Sequence, residues 1–419
     1  MNDIFEYNIW SFGLSLIYGV IGLFLLLLLL SRKTKVRSNE FTALLLSASL
    51  LMGFFLLNHL FKFKALAPDS SFYADIVRDF WNYYDSWSPG VRLYAIINFI
   101  PIQFSMRFPV VLVVIHVFFY LAGMIFLGKA LALFSSFRQR SVPKDYLAQL
   151  LLLSALYPAA LIVIPSLLRE GSMFFFFGLS TYLLVLIRYG KARPKKWQVL
   201  LFIGSLTLLT LIRPIGGVSY LIGLLSIYFL DLWKVNKLQA ILKTALPALL
   251  GLWLINTIAD GFYNMQFSPD WLGRYRASHE ALFGAEAYGT QLSWEGGFNV
   301  VKSSLLLFGQ YLLSPLPVII DKGVMFEKTI PLLDAIFITI CLIPLLYLLK
   351  DRAYRPIYFF AFILLFVSAL FETHISGSYR HRMNGVALLL PLVVIGANKL
   401  LVDLTKVAIN QSKNEGIKE

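Results

Sequence analysis

Arginines and carboxylates stand where a strongly apolar chain has least reason to keep them, and their types limit the chemistry they could do. Asp69 lies in Pro68-Asp69-Ser70-Ser71-Phe72-Tyr73. A carboxylate there could take the proton of a hydroxyl group. Equally, it could cap the helix predicted by the apolar and aromatic positions 72, 73, 76, 77, 80 and 81, with Asp75 and Asp79 on the opposite stripe. Ser166-Leu167-Leu168-Arg169-Glu170-Gly171 sets opposite charges side by side between two apolar runs. Such pairs are costly at membrane depth and mark functional sites, or they neutralise each other at the head-group level. Arg213-Pro214 adds a third arginine at a turn, either facing a cavity or simply ending a helix. Gly377-Ser378-Tyr379-Arg380-His381-Arg382 adds two more. A guanidinium binds phosphate with a planar fork, so Arg380 and Arg382 predict an anionic ligand, or contact with ordinary lipid head groups.

The second long polar loop, 260–299, contains Trp271-Leu272-Gly273-Arg274-Tyr275-Arg276 and the glycine- and aromatic-rich Gly284-Ala285-Glu286-Ala287-Tyr288-Gly289. Aromatic faces beside carboxylates suit sugar rings, which present apolar faces and hydroxyl edges. A structured plug over the helices is the plainer reading of most of this loop. Arg274, Arg276 and Tyr288, with Tyr73 of the earlier loop, are the candidate substrate contacts.

These residues must be positioned by membrane helices. Apolar residues make up 58% of the 419 and charged residues 14%, against about a quarter charged in soluble proteins. A bilayer crossing needs about 20 apolar residues, and runs of that kind recur from Ile9–Leu30 to Asn384–Leu401. The excess of 37 Lys+Arg over 23 Asp+Glu falls in alternate loops. Arg32, Lys33, Lys35 and Arg37 form the first basic cluster, and Arg138, Arg140 and Lys144 the second. Arg188 to Lys196, Lys234 and Lys237, and Lys350 to Arg355 continue the series. The positive-inside rule makes those loops and the carboxy terminus cytoplasmic and the amino terminus external. The loops 61–107 and 260–299 then share the outer face. Val301 to Ile320 breaks the alternation and carries Pro315 and Pro317, so it is expected to be re-entrant or to lie on the surface. The prediction is an all-α protein with a single transmembrane domain over 1–419, about 11 crossings and interfacial helices in the outer loops.

The basic excess is accounted for by topology and anionic lipid, so no nucleic acid is expected. Cys341 is the single cysteine, which rules out an intramolecular disulfide. The first apolar run, without a basic segment before it, is expected to be a retained crossing. There is no Cys/His metal spacing and no glycine-rich nucleotide loop, so no cofactor is expected. A divalent ion on the outer acids stays open. His59 and His116 fall inside apolar runs and are expected to be packed or hydrogen-bonded between helices rather than catalytic.

With these motifs in view, the chain resembles the polytopic glycosyltransferases of the GT-C superfamily, most closely bacterial members of the protein O-mannosyltransferase and lipid A sugar-transferase type. Pro68-Asp69-Ser70-Ser71-Phe72-Tyr73 is similar to the acidic start of their first outer loop. Ser166 to Gly171 is similar to their acidic turn between middle spans. Ser378-Tyr379-Arg380-His381-Arg382 is similar to the arginine pair before their late helix, although Met383-Asn384 stands where the pattern has proline. The resemblance implies a GT-C-like fold in the cytoplasmic membrane and transfer of sugar from a polyprenyl phosphate to a cell-envelope acceptor. It implies Asp69 as base and Glu170 as an orienting carboxylate, with Arg380 and Arg382, helped by Arg169 and Arg213, on the lipid phosphate. Polysaccharide-assembly proteins would be partners. O-antigen-type polymerases are the near neighbour, and a lipid-linked-sugar transporter is a third reading.

Overall fold

The computed structural model describes residues 9–61, 89–104, 110–166, 168–190, 193–233, 272–278, 296–314, 325–373 and 375–415, with isolated positions 238, 241, 244, 253 and 257. The described elements are helical throughout, with no strand among them. They are α1 (Ile9–Thr34), α2 (Ser38–Phe61), α3 (Pro89–Phe104), α4 (Val110–Phe137), α5 (Tyr146–Ala155) and α6 (Pro158–Val163). A 3-10 turn (Ile164–Ser166) leads to α7 (Glu170–Tyr189), α8 (Lys196–Ile212) and α9 (Pro214–Trp233). After the loop come α10 (Gly297–Leu313), α11 (Met325–Leu348), α12 (Arg355–Phe371) and α13 (Ile375–Glu415).

Among the described residues, seven helices are long and apolar enough to cross a membrane, and eight if α5 and α6 form one broken crossing. The break, bent by 61°, falls at Pro158, which has no N–H for the preceding turn and clashes with it. Apolar segments in α8 and α9, Lys196–Ile212 and Pro214–Tyr228, are shorter. The crossing expected between Lys237 and Asp260 lies largely outside the described residues. The helix expected over 301–320 is present as α10, which ends at Leu313, before the two prolines.

Packing ranks the helices from centre to rim. In α4, 78% of the most apolar window is buried, against 22% in α1, so α4 is the axis and α1 faces outward. Small residues allow close approach between α4 and α7. A Cβ at Gly178 would overlap the carbonyl of Gly123, and a Cβ at Gly171 would press on His116. Where lipid removes the hydrophobic drive between helices, such close backbone packing holds them together.

The loops sort into two ends. At one, Arg37 donates to the Lys144 carbonyl, and Asn39 donates to Asp145 at 2.5 Å. Asp351 there meets both Arg140, at 3.0 Å, and Lys399, at 3.6 Å. Burial pushes the Asp351 carboxyl up, but its bonds from the Ala353 N–H and Arg140 outweigh that and hold it below its ordinary value. Three of the expected basic loops, those at Arg37, Arg140 to Lys144 and Lys350 to Arg355, therefore share one end. The turns at 168–170 and 212–214 and the start of α13 meet at the opposite end, through the contacts described next.

Candidate functional site

Glu170 opens α7, where the positive end of the helix dipole favours a carboxylate. Its side chain is fully buried, and Oε1 accepts from Arg213 Nη1 at 2.8 Å and from Arg380 Nε. Arg213 reaches it because Pro214 forces the preceding residue out of the helical region. Arg213 has φ −149° and ψ 98°, ending α8 just as α9 begins. Arg380 comes from the second turn of α13. Three helices are thus tied through one carboxylate, and Glu170 orients two arginines.

The network continues on the other side of Arg213. Its Nη2 meets His381 Nε2, and His381 Nδ1 meets the Glu372 carboxylate. A guanidinium is a donor only, so His381 Nε2 is the acceptor and the partners assign the proton to Nδ1. Arg169 donates from Nη1 to the Ile212 carbonyl at 3.1 Å. Three guanidinium groups, of Arg169, Arg213 and Arg380, therefore stand against two carboxylates, Glu170 and Glu372. Glu170 has no exposed side-chain area, whereas Arg380 is 17% and Arg213 19% exposed. The positive groups are the ones that reach outward.

The other expected site arginines do different work. Arg382, expected on the lipid phosphate, has no exposed area and uses all five donors. Nε donates to Asp334 at 2.6 Å and Nη2 pairs with the same carboxylate. Nη1 donates to the Tyr311 and Leu312 carbonyls at 2.7 and 2.9 Å, and Nη2 to that of Ser314 at 3.0 Å. It has none to offer a phosphate; it closes the carboxy-terminal end of α10. Arg276, expected on the substrate, is buried and donates to the Leu370 and Glu372 carbonyls at 3.0 and 2.6 Å, closing the end of α12. Arg169 does the same for α8. A helix ending at this face presents unpaired carbonyls and a negative dipole end, so arginine belongs there without any ligand. Arg213 and Arg380 are set apart because their described side-chain bonds go to Glu170 and His381, not to a helix end.

Arg274 lies exposed in the helical segment 272–278. Asp69, Tyr73 and Tyr288 lie outside the described residues. The segment 272–278 brings Tyr275 towards Glu372 and Arg213; burial, then the Glu372 charge, push its phenol up from the ordinary value. It stays a hydroxyl donor at neutral pH. Glu372, Tyr275 and Asp334 did not stand out in the sequence. The only signal for Glu372 is an acid ending an apolar run next to a loop rich in arginine and histidine. His59 stacks on Phe12, centroids 4.6 Å apart, consistent with packing between helices. Among the described residues, no three metal-ligating side chains converge.

Comparison with protein-family models, with curated proteins and with solved structures returns no significant match. The chain is a multi-pass helical membrane protein by its apolar helices, and its function is argued from the site alone.

Proposed function

We propose that the chain is a membrane glycosyltransferase of GT-C-like architecture with about 11 crossings. It takes sugar from a polyprenyl-phosphate donor at the outer face of the cytoplasmic membrane and passes it to a cell-envelope acceptor. The observation that carries this reading is the pair Arg213 and Arg380, mostly buried but with an exposed edge, held by buried Glu170 at the end of the bundle opposite the basic loops. Fixed guanidinium forks at the interface depth suit a lipid phosphate. Asp69, in the loop expected on the same side, is the proposed base for the acceptor hydroxyl, with Tyr73, Arg274 and Tyr288 on the sugar or acceptor. A nucleotide sugar is not needed at a face turned away from the cytoplasm.

Two experiments bear directly on this. With Cys341 replaced, single cysteines at Ser70 and Ser412 should react with an impermeant thiol reagent from opposite sides of the membrane; reaction from one side removes the active face from the outer surface. Purified protein in nanodiscs should bind polyprenyl phosphate, and Arg380→Lys should weaken that binding roughly tenfold although the charge is kept, because the fork is lost. Unchanged binding by Arg380→Lys and by an Arg213/Arg380 double alanine variant would take the phosphate off this site.

A further inference from the structure

One side of Glu170 is unused. Its second oxygen, Oε2, is buried without a hydrogen-bond partner, and so are both ring nitrogens of His116 on α4. The two residues are neighbours across the first turn of α7. A Cβ at Gly171 would lie 2.9 Å from both Cα and Cβ of His116, and the Glu170 charge acts on the imidazole. Tyr94 of α3 flanks the ring at 5.6 Å between centroids. The side-chain oxygens of Asn98, one turn along α3, and of Asn384, one turn below Arg380 on α13, are also buried and unpartnered.

Buried ring nitrogens are ordinarily satisfied by protein groups, water or ligand, because each unmade bond in the interior is a standing cost to the fold. The unmet demand here has a definite character. Glu170 Oε2, Asn98 Oδ1, Asn384 Oδ1 and one imidazole nitrogen are acceptors, and the other imidazole nitrogen is the single donor. A ligand that answers four acceptors and one donor is rich in O–H groups. Beside it lies an anion site, so the matching molecule carries a phosphate and several hydroxyls together.

We propose that His116 and Glu170 Oε2, with Asn98 and Asn384 at the margins, form a recognition site for sugar hydroxyls whose phosphate is held by Arg213 and Arg380. This rests on the phosphate reading above. His116, Glu170 and Asn98 are fully buried and Asn384 partly so, so a sugar enters as they part, and its hydroxyls bond to them.

The test separates sugar from phosphate. Protein in nanodiscs is titrated with bare polyprenyl phosphate and with a panel of polyprenyl phosphohexoses. Wild type should bind at least one sugar-bearing lipid roughly tenfold or more tighter than the bare one, the scale of one or two buried hydrogen bonds. His116→Leu should bind bare polyprenyl phosphate as wild type does and lose that increment. It should melt no lower, because an unsatisfied polar group has been replaced by an apolar one. His116→Asn, which keeps a donor and an acceptor, should keep part of the increment. If His116→Leu does not fold, Asn98→Leu and Asn384→Leu carry the same comparison. Loss of the increment alone supports the site; loss of both binding events, or of neither, makes the residue structural and overturns it. A wild type that gains nothing from any sugar overturns the site while leaving the phosphate reading intact. A wild type that does not bind bare polyprenyl phosphate overturns that reading and this one with it.

Discussion

Arg382→Ala is expected to destabilise the protein by about 3–5 kcal/mol, the cost of leaving one partner of a buried ion pair behind. The substitution strands the Asp334 carboxylate in the interior and uncaps three carbonyls at the end of α10. Thermal melting and unfolding in mixed detergent micelles would read the loss. Replacing both partners, Arg382→Met with Asp334→Leu, should recover much of it, because an apolar pair of similar volume is tolerated where a lone charge is not. Recovery should be incomplete, since the α10 carbonyls stay uncapped. Wild-type melting by Arg382→Ala would mean that this end of α10 is held by other contacts.

The second large effect concerns Asp69. If it is the base, Asp69→Asn should lower turnover about 10²–10⁴-fold with binding of bare polyprenyl phosphate unchanged. Asparagine keeps most of a helix-capping bond, so a purely structural aspartate would tolerate it. Asp75→Asn and Asp79→Asn, on the opposite stripe of the expected helix, should be much milder. Turnover retained in Asp69→Asn but lost in Arg380→Ala would favour a polymerase holding two pyrophosphate-linked chains. Sugar-lipid export surviving both would favour a transporter.

The alternation of basic and non-basic loops made the two ends of the bundle legible in advance, because lysine and arginine are placed by a rule that depends on charge alone. The convergence of Arg169, Glu170, Arg213 and Arg380 was legible as a shared face but not as contacts. Residue pairs 43 and 210 positions apart leave no periodic trace. Arg276 and Arg382 look alike in sequence to the arginines of the site. Their separation depends on where other helices end, and only the packed structure supplies those carbonyls. His116 shows the opposite limit: its place in an apolar run correctly implied burial, but burial without a partner is a statement about its neighbours.

The 41 residues of α13 run from one charged end to the other without a break in the helix. Arg380 meets Glu170 near its start, and Lys399 meets Asp351 nineteen positions on, about 28 Å along the axis at 1.5 Å per residue. That is close to the hydrocarbon thickness of a bilayer, about 30 Å. The rod therefore acts as a gauge of the membrane it fits. In a markedly thicker bilayer, tilting or local thinning would have to keep the arginine network from sinking into hydrocarbon. The depth at which the Glu170 network sits is thus tied to acyl-chain length as well as to its own contacts.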